Sequence, residues 1–230
     1  MSMNESSRVA VLMPAYNAER FINRAVDSLM RGSYPCDLYV VDDGSNIPVA
    51  RILGDIPRTH IIRLERNGGV AAARNAGLRA ILARQYDFVA CHDADDISYP
   101  DRIAKQVEFL DRHSEIAAVG VWGRHFDEVT GKPTMIQRTP SSAAQTKKMM
   151  HVNMAIINSS AMIRVSALRA VGLYSELYPA AEDYELFRRI SREFQIANIP
   201  SVLMDICISP TGISLHFRRR QLLDRFKIQL

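Results

Sequence analysis

Short, continuous apolar runs alternate along this chain with longer stretches in which apolar residues recur at three- and four-residue intervals. Val9, Ala10, Val11, Leu12 and Met13 form an unbroken run ended by Pro14, the pattern of a strand buried on both faces. Phe21, Ile22, Ala25, Val26, Leu29 and Met30 follow at helical spacing, and Gly32-Ser33-Tyr34-Pro35 stops that helix. Residues 38–41 and 61–64 read as two further strands, residues 70–84 as an alanine-rich helix, and residues 88–91 as a fourth strand. The alternation of strands and helices predicts an α/β fold, a mainly parallel central sheet flanked by helices.

The second half has a different texture. Pro100 suits a first-turn helix position, and Ile103, Val107, Phe109 and Leu110 supply the apolar face behind it. Residues 117–122 and 134–137 read as strands joined by a turn near Thr130-Gly131-Lys132-Pro133, and residues 141–151 as a serine-capped helix. A strand is expected over 159–163, a helix over 182–193, and two late strands over 196–199 and 202–208. No repeat, low-complexity segment or linker interrupts the pattern. A single compact domain over residues 1–215 is expected, in two halves, 7–100 and 101–215, followed by a tail over 216–230.

Each strand of the first half runs into polar or acidic residues: Tyr16-Asn17, Asp42-Asp43, Asn67-Gly68-Gly69 and Asp93-Ala94-Asp95-Asp96. Open α/β sheets bind ligands at that edge, so these loops are expected to line one crevice. If the chain stays extended, Asp93 and Asp95 project to the same side. Two carboxylates side by side repel each other unless a cation lies between them, and their oxygens suit Mg²⁺ or Mn²⁺. A metal site is therefore expected after the fourth strand. The Asn67-Gly68-Gly69 loop lets backbone approach a ligand closely, yet it is neither Gly-x-Gly-x-x-Gly nor a Walker A sequence. Dinucleotide and ATP readings are disfavoured.

Composition adds limits. Hydrophobic residues make up 47% and charged residues 23%, which places the chain among ordinary globular proteins. The net charge of +4 calls for no nucleic acid, but it is concentrated. Residues 217–230 carry Arg218, Arg219, Arg220, Arg225 and Lys227 against one Asp224. Such a tail predicts a basic helix that either lies peripherally on an anionic membrane or packs one face on the body or on a second subunit of a homodimer. The packed arrangement is the expected one. Three cysteines, Cys36, Cys91 and Cys207, at unpatterned spacings argue against a disulfide scaffold and against a zinc site, and read as core residues. His92 likewise reads as packed rather than liganding. Residues 1–7 lack a signal-peptide pattern and no window is apolar enough for a membrane span. A cytoplasmic location is expected, at the inner membrane face if the tail binds lipid. No helix stop signal precedes Leu230, so a continuation beyond it is expected.

Val-Leu-Met-Pro-Ala-Tyr-Asn (11–17), Val-Val-Asp-Asp-Gly-Ser (40–45), Asn-Gly-Gly-Val-Ala-Ala-Ala-Arg-Asn-Ala-Gly (67–77), Asp-Ala-Asp-Asp (93–96) and Ala-Glu-Asp-Tyr-Glu-Leu-Phe-Arg-Arg-Ile (181–190) together resemble the family 2 glycosyltransferases of GT-A fold. The resemblance spans roughly residues 8–215, with the motifs in the family's order. It implies a Rossmann-like GT-A domain with a nucleotide-binding half (7–100) and an acceptor half (101–215). The implied reaction is inverting transfer of a sugar from a nucleotide diphosphate sugar to an acceptor hydroxyl. A UDP-sugar is the expected donor, Mg²⁺ or Mn²⁺ the expected cofactor, and a saccharide or lipid-linked molecule the expected acceptor, in polysaccharide or lipopolysaccharide assembly.

Carried onto these positions, the resemblance implies Asp95 as the direct metal contact, with Asp93 holding the ribose, the ion or a coordinated water. Asp42 or its neighbour Asp43 would read the base. Tyr16 would pack on that base, with Pro14 and Ala15 beside it. Asn67 and Gly69 would approach the ligand through backbone. Arg74, one turn into the following helix, would face the phosphates or serve as a structural salt-bridge partner. Asp183 would be the catalytic base, with Glu182 the alternate. The stretch 209–214 resembles the family's closing loop over the diphosphate, with Ser209 where relatives often carry a histidine or other polar group. Two other classes stay open at this level: a nucleotidyltransferase that makes sugar nucleotides, and a non-catalytic nucleotide-sugar-binding module. Pro14-Ala15-Tyr16-Asn17 in place of a glycine-rich basic loop counts against the first, and the presence of Asp183 against the second.

Overall fold

The computed structural model describes residues 8–209 and 218–229. Its first strands are β1 (Val9–Ala15), β2 (Asp37–Asp42), β3 (Thr59–Arg63) and β4 (Phe88–Cys91), with helices α1 (Ile22–Met30), α2 (Val49–Leu53) and α3 (Val70–Leu82) between them. Then come β5 (Ile97–Ser98), α4 (Arg102–Arg112), β6 (Ile116–Asp127), β7 (Pro133–Gln137), α5 (Ala143–Met150), a 3₁₀ turn (Asn158–Ser160), β8 (Met162–Arg164), α6 (Val165–Val171), α7 (Glu182–Glu193), β9 (Gln195–Ile208) and α8 (Arg218–Gln229).

All strands join one sheet in the order β3-β2-β1-β4-β8-β6-β9-β5, with β7 on β6. The block β3-β2-β1-β4 is parallel, as the apolar runs predict, and β6 and β9 are parallel to each other. β8 joins the two blocks by antiparallel pairing on both sides, and β5 and β7 also pair antiparallel. Single-residue alternation sorts the side chains of β1, β2 and β4 onto two cores. Ala10, Leu12, Tyr39, Val41, Val89 and Cys91 face α3 and α7, while Val9, Val11, Met13, Leu38, Val40 and Ala90 face α1 and α4.

Several expectations shift in detail. The 159–163 strand begins later, at Met162, because residues 158–160 close a 3₁₀ turn. The two late strands are one, β9, whose register slips against β6 between Val121 and Trp122, opposite Pro200, a residue without a ladder N–H. α2, α6 and the two-residue β5 are additions to the expected elements. The serine cap is Ser142, which accepts from Gln145 N at 3.3 Å. The 209–214 loop lies, from residue 210 onward, outside the described residues.

Candidate active site

The parallel strands end together, and each loop there is fixed by a neighbour. At the end of β1, Asn17 takes a positive φ of 48°; its N–H donates to Ser45 Oγ and its side-chain oxygen accepts from Asn46 N. This double tie leaves Tyr16 half exposed (50%) over the edge, while Ala15 is buried and its carbonyl accepts from Asp43 N. Pro14 sits within β1, in register with Val41.

Asp42 and Asp43 point to opposite faces. Asp42 lies opposite Arg63 in the β2–β3 register and accepts from the Arg63 guanidinium, from Ser45 N (2.9 Å) and from Val49 N (3.1 Å). Burial alone would raise its pKa, but these bonds hold it below the ordinary value. Asp43 faces α3 and accepts from Gly68 N (2.8 Å) and Gly69 N (2.9 Å), one on each oxygen. Burial raises its pKa above the ordinary value despite those bonds, and Asp42 adds to the rise. Gly44 turns the chain between the two loops at φ +71°, where a Cβ would lie 2.6 Å from the Arg66 backbone. Asn67 Oδ1 also accepts from Gly69 N, and Gly69 opens α3 at φ +88°, a conformation that favours glycine.

The acidic segment does not stay extended. It turns at Ala94–Asp95, closed by Asp96 N donating to Asp93 O at 3.2 Å, so the acids flank a turn rather than line one side of a strand. Asp93 faces α3 and accepts from Arg74 Nη2 at 3.2 Å, with its side chain still 39% exposed. Asp95 sits toward Arg24, Glu128 and Cys207, and Arg24 reaches its carbonyl at 3.4 Å. Burial, then the charge of Asp93, pushes the Asp95 carboxyl up to about 7. Asp96 is raised well above the usual range by burial and by both neighbouring acids; its Oδ1 accepts from Cys207 N on β9.

Beneath this turn lies a polar support that the apolar pattern gave no hint of. Arg102, fully buried at the start of α4, donates to Cys91 O, Ser159 O, Gln106 Oε1 and His92 Nδ1. The last bond leaves the His92 proton on Nε2, and burial with Arg102 alongside lowers the His92 pKa well below its ordinary value. His92 is packed, as its sequence context predicts. Cys36 and Cys91 are buried, Cys207 is partly so, and all three are free.

The other acidic pair comes from α7. Tyr184, Leu186, Phe187 and Ile190 anchor its apolar face, which puts Glu182 and Asp183 at the sheet edge. Glu182 accepts from Arg74 Nη1 at 2.7 Å, so one buried guanidinium spans from Asp93 to Glu182. Burial raises Glu182 to about 7 and Asp183 adds to the rise, although Arg74 acts in the opposite direction. Arg74 itself stays charged: burial opposes this, but Asp93, Tyr174 and Glu182 raise its pKa further. Its guanidinium lies 5.4 Å from the Tyr174 ring centroid, and the adjacent Asn75 clasps Tyr174 N and O with both ends of its amide. Asp183 keeps one oxygen on Tyr184 N.

The acidic turn fits a hard divalent ion on its own chemistry. Its donors are carboxylate oxygens, burial and Asp93 both disfavour a negative charge on Asp95 that a cation would offset, and Asp93 is partly exposed. Among the described residues no group of three or more His, Cys, Asp or Glu is placed to hold a metal unaided. An ion held by Asp93 and Asp95 would complete its coordination with water or ligand oxygens, as Mg²⁺ sites on phosphates do.

Comparison with known proteins bears on this geometry. The amylovoran biosynthesis glycosyltransferase AmsE of Erwinia amylovora is 31% identical over 206 residues, covering 86% of this chain and 75% of that protein. The TarS structure from S. aureus in complex with UDP-GlcNAc superposes with a TM-score of 0.73 at 19% identity, over 90% of this chain and 60% of that one. The mannosyltransferase PcManGT from Pyrobaculum calidifontis, in complex with GDP-Man and Mn²⁺, gives 0.72 at 20% identity, over 97% and 64%. This chain thus spans under two thirds of the two crystallised chains, and the likeness gives the fold, GT-A. The model of glycosyl transferase family 2 matches residues 10–172, and the chain belongs to that family.

Proposed function

We propose that this chain is an inverting, metal-dependent glycosyltransferase that moves a sugar from a nucleotide diphosphate sugar to an acceptor hydroxyl. The observation that carries the reading is the single Arg74 guanidinium joining Asp93, at the candidate metal turn, to Glu182, at the candidate base helix. This bridge supports a reading in which the candidate metal residues and the candidate base residues work side by side.

In this reading Tyr16 packs on the base from its exposed ledge, and Asp43 reads it. Asp42 is less suited, because it accepts from three donors, Ser45, Val49 and the charged Arg63, whereas Asp43 accepts only from the N–H groups of Gly68 and Gly69. Asn67 and Gly69 bring backbone to the diphosphate. Asp95, with Asp93, would hold Mg²⁺ or Mn²⁺, which as a Lewis acid stabilises charge on a departing nucleoside diphosphate. Asp183 takes the acceptor's proton as its oxygen attacks the anomeric carbon opposite the leaving group, which inverts the centre. Arg74 holds the two walls in register and remains protonated throughout.

UDP is the expected nucleotide, and cell-surface polysaccharide or lipopolysaccharide assembly the expected setting; the relative named for amylovoran biosynthesis supports the latter. A thermal-shift screen of UDP-, GDP- and dTDP-sugars with and without Mn²⁺ tests the proposal. Stabilisation by one donor class that depends on Mn²⁺ is the expected result. No shift with any donor would overturn it.

A further inference from the structure

The last helix, α8, is turned inside out. The residues it sends toward the body are mostly polar. Asp224 is buried; Arg225 donates to Asn153 Oδ1 at 2.8 Å and lies 5.8 Å from the Tyr184 ring centroid. Gln229 donates to Val152 O at 3.1 Å and to the Tyr184 hydroxyl at 3.2 Å, and among the described residues of α8 only Ile228 packs on the apolar core. The large apolar residues face the other way: Leu222, Leu223 and Phe226 are 61%, 59% and 61% exposed. Positions 222, 223 and 226 lie on one side of a helix. A helix that served only to cover α5 and α7 would show the opposite arrangement.

The rim of that apolar stripe is cationic. Arg219 and Arg220 lie one turn before it and Lys227 beside Phe226, all exposed. The helix's single acid, Asp224, is buried and already paired with Arg220 at 3.1 Å. The charge pattern separates a bilayer from a second copy as the occupant. A second copy meeting this face across a twofold axis would bring Arg219 and Lys227 of both copies together, with no exposed acid on the helix to offset them. A surface that is apolar beneath a layer of negative charge accepts both features at once: the Leu and Phe side chains enter the acyl boundary and the cations stay among the headgroups.

We propose that the Leu222–Leu223–Phe226 face of α8 docks this protein on an anionic lipid bilayer. The inference is independent of the transfer reaction. Because α8 is tied to residues 152 and 153 and to Tyr184 of α7, a bilayer docked there would hold the body in one orientation, with α7 close to the membrane plane.

Flotation of the full chain with vesicles tests this. Vesicles of phosphatidylcholine mixed with phosphatidylglycerol are expected to carry the protein up the gradient, and phosphatidylcholine alone is not. Raising the salt should weaken the binding several-fold, as screening shortens the reach of the cations. Leu222→Ser with Phe226→Ser, and separately Arg219→Glu with Lys227→Glu, should each lower vesicle binding about tenfold or more. Both pairs are exposed, so melting temperatures should match the parent and keep the comparison clean. Flotation that survives both double variants would overturn the proposal, as would none with the parent. So would a concentration-dependent dimer in sedimentation that the Leu222→Ser, Phe226→Ser variant dissolves, since that outcome assigns the face to a second copy.

Discussion

Arg74 and Glu182, 108 positions apart in the chain, form a 2.7 Å ion pair with both side chains buried. The pair ties the first turn of α7 to the second turn of α3, and through Asp93 to the end of β4. Removing one member strands a buried charge, which typically costs about 3–5 kcal/mol. Arg74→Ala should lose stability in that range in urea unfolding at neutral pH. Arg74→Lys should recover only part of it, because an ammonium lacks the fork that reaches two carboxylates on separate elements. A loss near zero for Arg74→Ala would show that the bridge does not hold the crevice together.

Asp95 makes the opposite prediction for stability. It carries charge that burial and Asp93 both oppose. Asp95→Asn should therefore melt at a higher temperature than the parent without divalent ions, by a gain on the order of 1–2 kcal/mol. The same variant should lose any Mn²⁺-dependent binding of a nucleotide sugar in calorimetry. Unchanged Mn²⁺ dependence would remove Asp95 from the metal site.

The contrast between these residues also shows what the chain discloses on its own. The buried strands were legible because runs such as residues 9–13 and 38–41 are apolar at every position, and the acids stood out because they follow directly on such runs. α7 was legible to the residue, since Tyr184, Leu186, Phe187 and Ile190 keep helical spacing among charges. α6 was not: Val165 follows Arg164 of β8 with no turn residue to mark the change. Arg74 was open between facing the phosphates and serving as a salt-bridge partner, and only folding brings Asp93 and Glu182 to it. Asp42 and Asp43 had to point to opposite faces, but which face held the crevice depends on packing of α2 and α3. Arg102 looked like any charged residue at a helix start; its burial beneath the acidic turn is a tertiary fact, for which Pro100-Asp101 offers only the helix signal.

Asp42 sets an acid limit on the fold. Its folded pKa is depressed, so in the acid range the unfolded chain binds more protons than the folded one. The stabilisation is therefore fully present above the unfolded value of about 4 and is lost as pH falls through the lower folded value. Hydrogen bonds to a charged group are worth about 1.5–3 kcal/mol each. Asp42→Asn should be less stable than the parent at pH 7, with the gap narrowing as pH falls below about 4. Urea midpoints measured across that interval provide the check, and a gap that stays constant with pH would refute the assignment.

Asp183 and Glu182, adjacent at the head of α7, should separate in their kinetics. Glu182 is spoken for: its carboxylate is committed to Arg74 and buried, so its loss acts first on the architecture. Glu182→Gln should lower the melting temperature and reduce turnover and donor affinity together. Asp183 is more open and bonds only to the N–H of Tyr184 among the contacts resolved at its carboxylate. Asp183→Asn preserves shape and that bond while removing the ability to take a proton. It should leave the melting temperature and donor binding near the parent values and cut turnover by about 10²–10⁴-fold, the usual reach of a general base. Steady-state rates with donor binding measured separately by calorimetry distinguish the two. If Glu182→Gln abolishes turnover with donor binding intact while Asp183→Asn stays active, the base is Glu182, and Arg74 is then the group that tunes it.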